Sequence, residues 1–170
     1  MKFLLRLLLP LCLLSVPAQA MDLKPHRDTP APALALKDLG GKTHDLKDYR
    51  GQVVMVQFWA SYCAPCIKEM PSVERLKHQL AGRPFVILAV NMGESLPEVR
   101  AFLKKVAVDF NILLDDSGQA IADWKVFVAP STFLVDAQGK IRYTLQGGAE
   151  WDAPEPMQAI AAMLAEAQAK

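Results

Sequence analysis

The sequence predicts one α/β domain: a central mixed β-sheet flanked by helices on both faces, with an N-terminal β-hairpin extension. Three observations carry the prediction. Apart from Gln57 and the terminal Asn91, the runs Val53–Trp59 and Phe85–Asn91 are apolar without alternation, as strands covered on both faces are. Between them Ile67, Met70, Val73, Leu76 and Leu80 recur at helical spacing, so strand, helix and strand form a parallel crossover. Beyond them come a helical stretch, two short strands around a glycine-bearing turn, and a closing helix. At 170 residues, 52% hydrophobic and 22% charged, the chain has the composition of one globular domain, without internal repeats or low-complexity segments.

Residues 1–20 read as a cleaved secretory signal peptide. Lys2 and Arg6 give a basic start, Leu7 to Val16 is almost wholly apolar, and Ala18-Gln19-Ala20 fits small-residue cleavage. Pro10 and Pro17 leave the apolar run short of the roughly 20 residues that span a bilayer, which argues against an uncleaved anchor. Leu11 is bulky where a lipidated cysteine follows a small residue, so Cys12 is discarded with the peptide. Cleavage turns 19 basic against 18 acidic residues into 17 against 18, a balance that gives no basis for nucleic-acid binding. The predicted location is the periplasm.

Residues 21–32, with Pro25, Pro30 and Pro32 among charges and no apolar period, read as a leader or linker ahead of a domain at 33–170. Ala33 to Leu39, Gly40-Gly41 and Lys42 to Leu46 predict the hairpin. Lys47 to Gly51 is a tight helical turn closed by glycine. Pro71 is expected to kink the helix that follows the first central strand. Gly82-Arg83-Pro84 breaks the chain before the second. Ser95, with Glu98 three residues on, caps a helix from Leu96 to Val106. Phe110 to Leu114 is a short strand, and a brief helix follows near Ala120 to Trp124. Ser131 to Asp136 and Lys140 to Leu145 form a second hairpin, and Pro154 to Ala169 an alanine-rich helix with Met157, Ile160, Met163 and Leu164 inward.

The chemistry concentrates in Trp59-Ala60-Ser61-Tyr62-Cys63-Ala64-Pro65-Cys66, at the junction of strand and helix. A thiol at a helix N-terminus faces unpaired backbone N–H groups and the positive end of the macrodipole, both favouring thiolate. Cys63 is therefore the predicted nucleophile. Cys66, inside the first turn, can attack a mixed disulfide on Cys63 and close a small ring, which makes it the predicted resolving thiol. A purely structural bridge here would close too short a loop to remove much unfolded-state entropy. Trp59 is expected to shield the thiolate and offer a substrate an apolar surface.

Metal sites fare poorly. Zinc on the two cysteines would need two more ligands, and no second cysteine pair or close histidine pair exists. His26, His44 and His78 share no period and read as solvated. Asp115-Asp116 beside Gly118 is turn chemistry. No metal or other cofactor is predicted.

The cysteine motif with its aromatic lead-in, together with Ala129-Pro130-Ser131-Thr132-Phe133 downstream, resembles the thioredoxin superfamily. Leu46 to Gly51, Lys68-Glu69-Met70-Pro71 and Gly148-Ala149-Glu150-Trp151-Asp152 are similar to its exported TlpA/ResA-like branch, over roughly Leu34 to Leu164. The resemblance implies a cis peptide bond between Ala129 and Pro130, beside the cysteines, where an extended substrate segment pairs. It also implies a proton-relay or pKa-modulating role for Glu69, which otherwise reads as a solvated acid near Lys68 or Arg75. Two departures stand out. Gln57 replaces the buried acid of the thioredoxins proper and cannot act as a base. Ser131 stands where cytochrome-maturation members often carry an acid.

The activity implied is disulfide reduction on exported proteins, by Cys63 attack and Cys66 resolution, in cytochrome c maturation or a related assembly pathway. Implied partners are protein thiols and disulfides and a membrane electron donor of the DsbD or CcdA type; the expected state is a monomer. The rivals are an oxidant using the same site, and a copper- or thiol-binding assembly factor on the same scaffold.

Overall fold

A computed structural model describes residues 23–169. The predicted signal peptide lies outside them. Eight strands form one sheet: β1 (Lys24–Pro30), β2 (Ala35–Asp38), β3 (Thr43–Asp45), β4 (Val53–Trp59), β5 (Phe85–Asn91), β6 (Asn111–Leu114), β7 (Ser131–Val135) and β8 (Lys140–Gln146). Their spatial order is β1-β8-β7-β4-β5-β6-β2-β3. β4, β5 and β6 are parallel neighbours, and every other pairing is antiparallel, so the sheet is mixed. The helices are α1 (Ala64–Gln79), α2 (Leu96–Leu103), α3 (Gln119–Asp123) and α4 (Pro154–Gln168).

β4 is buried at all seven positions, and strand alternation splits it between two cores. Val53, Met55 and Trp59 face a cluster with Met70, Val73 and Leu76 of α1, Val99 of α2, and Ile160, Met163 and Leu164 of α4. Val54, Val56 and Phe58 face a second cluster with Leu34, Leu46, Ala120 and Trp124 on the opposite side. Gln57 is the polar member of the first row, directed beneath α1.

The structure corrects several expectations. The segment read as a leader contains β1, which pairs with β8 through a register shift and is anchored by Arg142 on Asp28 at 2.9 Å. An edge strand exposed on both faces needs no apolar period, because backbone hydrogen bonds hold it. The hairpin β2–β3 is no appendage: β2 pairs with β6 and makes the hairpin the far margin of the sheet. α2 ends at Leu103, where Lys105 and Val106 both donate to the Phe102 carbonyl and tighten the last turn.

His44, read as solvated, is buried. Its ring spans Tyr49 Oη at 2.5 Å and Asp38 Oδ2 at 3.0 Å, and Asp38 also accepts from the N–H groups of Gly40 and Lys42. Asp115 is buried too, accepting from the Ile121 N–H at 2.9 Å, so it organises the turn into α3.

Candidate active site

β4 delivers the chain to the cysteines and α1 begins on them. Cys63 is the N-cap of α1; its sulfur accepts the Cys66 N–H at 3.3 Å, one of the donors a helix start leaves unpaired. Cys63 is partly exposed, Cys66 fully buried, and a disulfide joins them. The sulfur a macromolecular disulfide can reach is therefore that of Cys63. Cys66 can react only with what is already attached to its neighbour.

Glu69 follows Cys66 by three residues on α1, so their Cβ atoms lie about 5–6 Å apart by helix geometry. It is only 2% exposed. Neither Lys68 nor Arg75 neutralises it; three N–H groups hold its carboxylate. Gln57 Nε2 donates to Oε1 at 2.7 Å, and the Ala149 N–H and Trp151 Nε1–H donate to Oε2 at 3.0 and 3.1 Å. Burial pushes the carboxyl up to about 7, against the opposing pull of those donors. Gln57 thus contributes as the donor beneath Glu69, having no base of its own to offer.

The segment 148–152 is bound along one stripe of α1. Glu69 takes Ala149 and Trp151 as described. Ser72 Oγ lies 2.7 Å from the Glu69 carbonyl and 3.2 Å from the Ala149 carbonyl, and accepts the Trp151 N–H at 3.0 Å. Arg75 spans Asp152 at 2.6 Å and Glu150 at 3.1 Å. Between this segment and the first turn of α1 lies a cavity of about 510 Å³, lined by Ala64, Pro65, Lys68, Glu69 and Gly148 to Glu150.

The Ala129-Pro130 bond is cis. Phe58 pairs with Ser131 in the antiparallel β4–β7 ladder, so Ala129-Pro130 passes the end of β4 from which the cysteines emerge. Ala129 and Cys63 both rim the first core cluster. Trp59 does not meet its expected role. It is completely buried, packed on Phe102 with ring centroids 5.4 Å apart, and presents no surface to a substrate. The alternation that turns Val53 and Met55 inward turns Trp59 inward as well. The exposed apolar groups at this end are Tyr62, beside Cys63, and Phe127 and Val128, just ahead of the cis bond, at 76%, 87% and 44% exposure.

Two networks escaped sequence reasoning. Glu94 accepts the backbone N–H and the hydroxyl of Ser61, and the Asn91 side-chain amide at 2.7 Å, tying the loop before Cys63 to the end of β5. Trp151 and Ser72 are the other omission. The polar spacing of Ser72 with Glu69 and Arg75 along α1 was visible, but the partners, Ala149 and Trp151 among them, lie some 80 positions later in the chain.

The comparisons agree with this geometry. Residues 28–144 match the AhpC/TSA family. The ResA thiol-disulfide oxidoreductase of Geobacillus thermodenitrificans is 38% identical over 117 residues, covering 69% of this chain and 67% of its own length. ResA of Bacillus subtilis is 35% identical over 117 residues, with 69% and 65% covered. Among solved structures, one from Chlorobium tepidum assigned as a thiol:disulfide interchange protein DsbE superposes with a TM-score of 0.76 at 30% identity, covering 83% of this chain and 99% of that one. The exposed lipoprotein thioredoxin Etrx1 of Streptococcus pneumoniae gives 0.68 at 26%, covering 76% and 98%. A partly exposed sulfur on a helix N-cap with a buried partner sulfur suits thiol-disulfide exchange, and the chain belongs to the AhpC/TSA family as a thioredoxin-fold thiol-disulfide oxidoreductase.

Proposed function

We propose that the protein reduces disulfides in exported polypeptides. The observation that carries this reading is the division of labour at the site: accessible Cys63, buried Cys66, and buried Glu69 with a carboxyl near 7 one helical turn along. In the forward reaction the Cys63 thiolate attacks one sulfur of the substrate disulfide, forming a mixed disulfide and expelling the other substrate sulfur as a thiolate, which takes up a proton. Cys66 then gives its proton to the Glu69 carboxylate and attacks Cys63 Sγ. The second substrate sulfur leaves as a thiolate and takes up a proton, and the electron pair of the former dithiol now resides on the substrate. Glu69 acts as the base of the second step.

The reducing direction is supported by what surrounds Cys63. Ala64 and Pro65 bring no charge or histidine, so the helix terminus alone favours the thiolate. A strong oxidant instead stabilises its reduced form heavily. Tyr62, Phe127 and Val128 form an apolar rim suited to an extended protein segment, with cis-Pro130 beside it. Export rests on the basic-apolar-small pattern of residues 1–20. Among the described residues no helix is long and apolar enough to cross a membrane. A membrane thiol donor of the DsbD or CcdA type would regenerate the dithiol, and cytochrome c maturation is one pathway that needs such reduction, although Ser131 lacks the acid typical of dedicated members.

Equilibration with glutathione buffers tests the direction. A reduction potential more negative than about −220 mV supports the reductase; one near about −120 mV, the range of strong disulfide donors, overturns it.

A further inference from the structure

Glu69 is bonded asymmetrically. Oε2 receives two donors, the Ala149 backbone N–H and the Trp151 indole N–H, neither of which can become an acceptor. Oε1 receives one, from Gln57, a side chain that ends in both a donor and an acceptor. A proton on Oε2 would confront two N–H groups. A proton on Oε1 confronts a single amide, and that amide accepts it by turning its oxygen toward the acid. The indole is fixed in place from behind: Trp151 is fully buried, its own backbone N–H is held by Ser72 Oγ, and Arg75 grips the residues on either side of it.

We propose that Trp151 is the positioning residue of the Glu69 proton: with Ala149 it reserves Oε2 as an obligatory acceptor, so that the proton enters and leaves on Oε1, against the amide of Gln57. Gln57 then serves both protonation states, donating to the carboxylate and accepting from the acid. This gives a reason for an amide at that place in β4, where an aliphatic residue would satisfy the core and a second carboxyl would compete for the proton. Trp151, able only to donate, favours the anion alone and opposes the burial that pushes the Glu69 carboxyl up to about 7.

The inference rests on Glu69 as the proton acceptor of Cys66, but its test reads the proton directly. The charged groups around Glu69 are Lys68 on its own helix and Glu150 on the facing segment, both lining the cavity, while Arg75 and Asp152 pair with each other farther along. In the disulfide form the cysteines do not titrate. The carboxyl carbon of Glu69 is therefore followed by ¹³C NMR against pH in the oxidised protein, its signal identified by its loss in Glu69→Gln.

Trp151→Phe is expected to raise the titration midpoint by at least about one pH unit, a tenfold gain in proton affinity from losing a hydrogen bond to a charged group. Gln57→Leu is expected to raise it less, because it removes a partner of both forms. A midpoint unmoved or lowered in Trp151→Phe, or a Gln57→Leu shift as large as that of Trp151→Phe, overturns the proposal. If phenylalanine at so buried a site prevents folding, benzothienylalanine at 151 keeps the bicycle, lacks the N–H, and must give the same rise. A Trp151 that merely fills the core would lower stability and leave the midpoint in place. If the midpoints move as stated while Glu69→Gln resolves mixed disulfides at the wild-type rate, the titration inference stands and the assignment of Glu69 as base falls.

Discussion

Replacing Glu69 by glutamine should make the oxidised protein more stable in alkali and leave it unchanged in mild acid. The magnitude comes from the burial of the carboxyl, which lifts it from 4.5 to about 7 on folding. Between those limits the folded protein holds a proton that the unfolded chain has released. The group's contribution to stability is therefore complete below about pH 4.5 and is lost as pH rises through about 7. A shift of this size corresponds to about 3 kcal/mol. The amide of Glu69→Gln mimics the protonated acid: its oxygen meets the Ala149 and Trp151 donors, and its NH₂ meets Gln57 turned to accept. Urea unfolding of both proteins at pH 5 and pH 8.5 reads the difference, with every other titrating group common to the two. The variant should gain about 2–3 kcal/mol relative to wild type between the two pH values. A gap that does not change with pH, or a variant that loses ground in alkali, refutes the placement of Glu69 as a buried group charging near neutrality.

Further outcomes follow from the same geometry. Cys66→Ser should accumulate a mixed disulfide on Cys63, visible as a mass increase equal to one substrate thiol, while Cys63→Ser should abolish turnover of a model protein disulfide. Trp59→Phe should leave KM unchanged within about twofold, because the indole is buried away from substrate, and should cost about 1–2 kcal/mol in thermal unfolding from lost packing. His44→Leu should cost about 1–3 kcal/mol, since it strips buried partners from Asp38 and Tyr49, with no effect on the reduction potential.

The central crossover and the dithiol were legible because their signals are local: an unbroken apolar run, a helical period, and two cysteines at a helix start. Trp59 ends the same run as Val53 and Met55, a run that marks a strand covered on both faces; its proximity to Cys63 suggested a surface role that this burial denies. β1 was illegible because an edge strand exposed on both faces is specified by backbone pairing to β8 and by the Asp28–Arg142 contact, neither of which leaves an apolar rhythm. Apart from the family resemblance, Glu69 read as a solvated acid near Lys68 or Arg75. The burial of Glu69 and Ser72, and the pairing of Arg75 with Asp152, arise only when 148–152 returns across the helix, a long-range event that no window of sequence around α1 contains. His44 fails for the same reason on a shorter scale: its burial depends on Tyr49 and Asp38 closing over it from both sides of the hairpin.

The most direct test of the mechanism resolves the two thiol steps in one trace. The reduced protein is mixed with an aryl disulfide whose released thiol absorbs visible light, and both equivalents are followed by stopped flow from pH 5 to 9. The first phase reports attack by Cys63, the second resolution by Cys66. Two equivalents are expected, with a second-phase rate that rises through a midpoint near pH 7 and falls by about 100-fold in Glu69→Gln, the scale of a lost general base. A second phase whose rate and pH profile are the same in wild type and Glu69→Gln would contradict the mechanism.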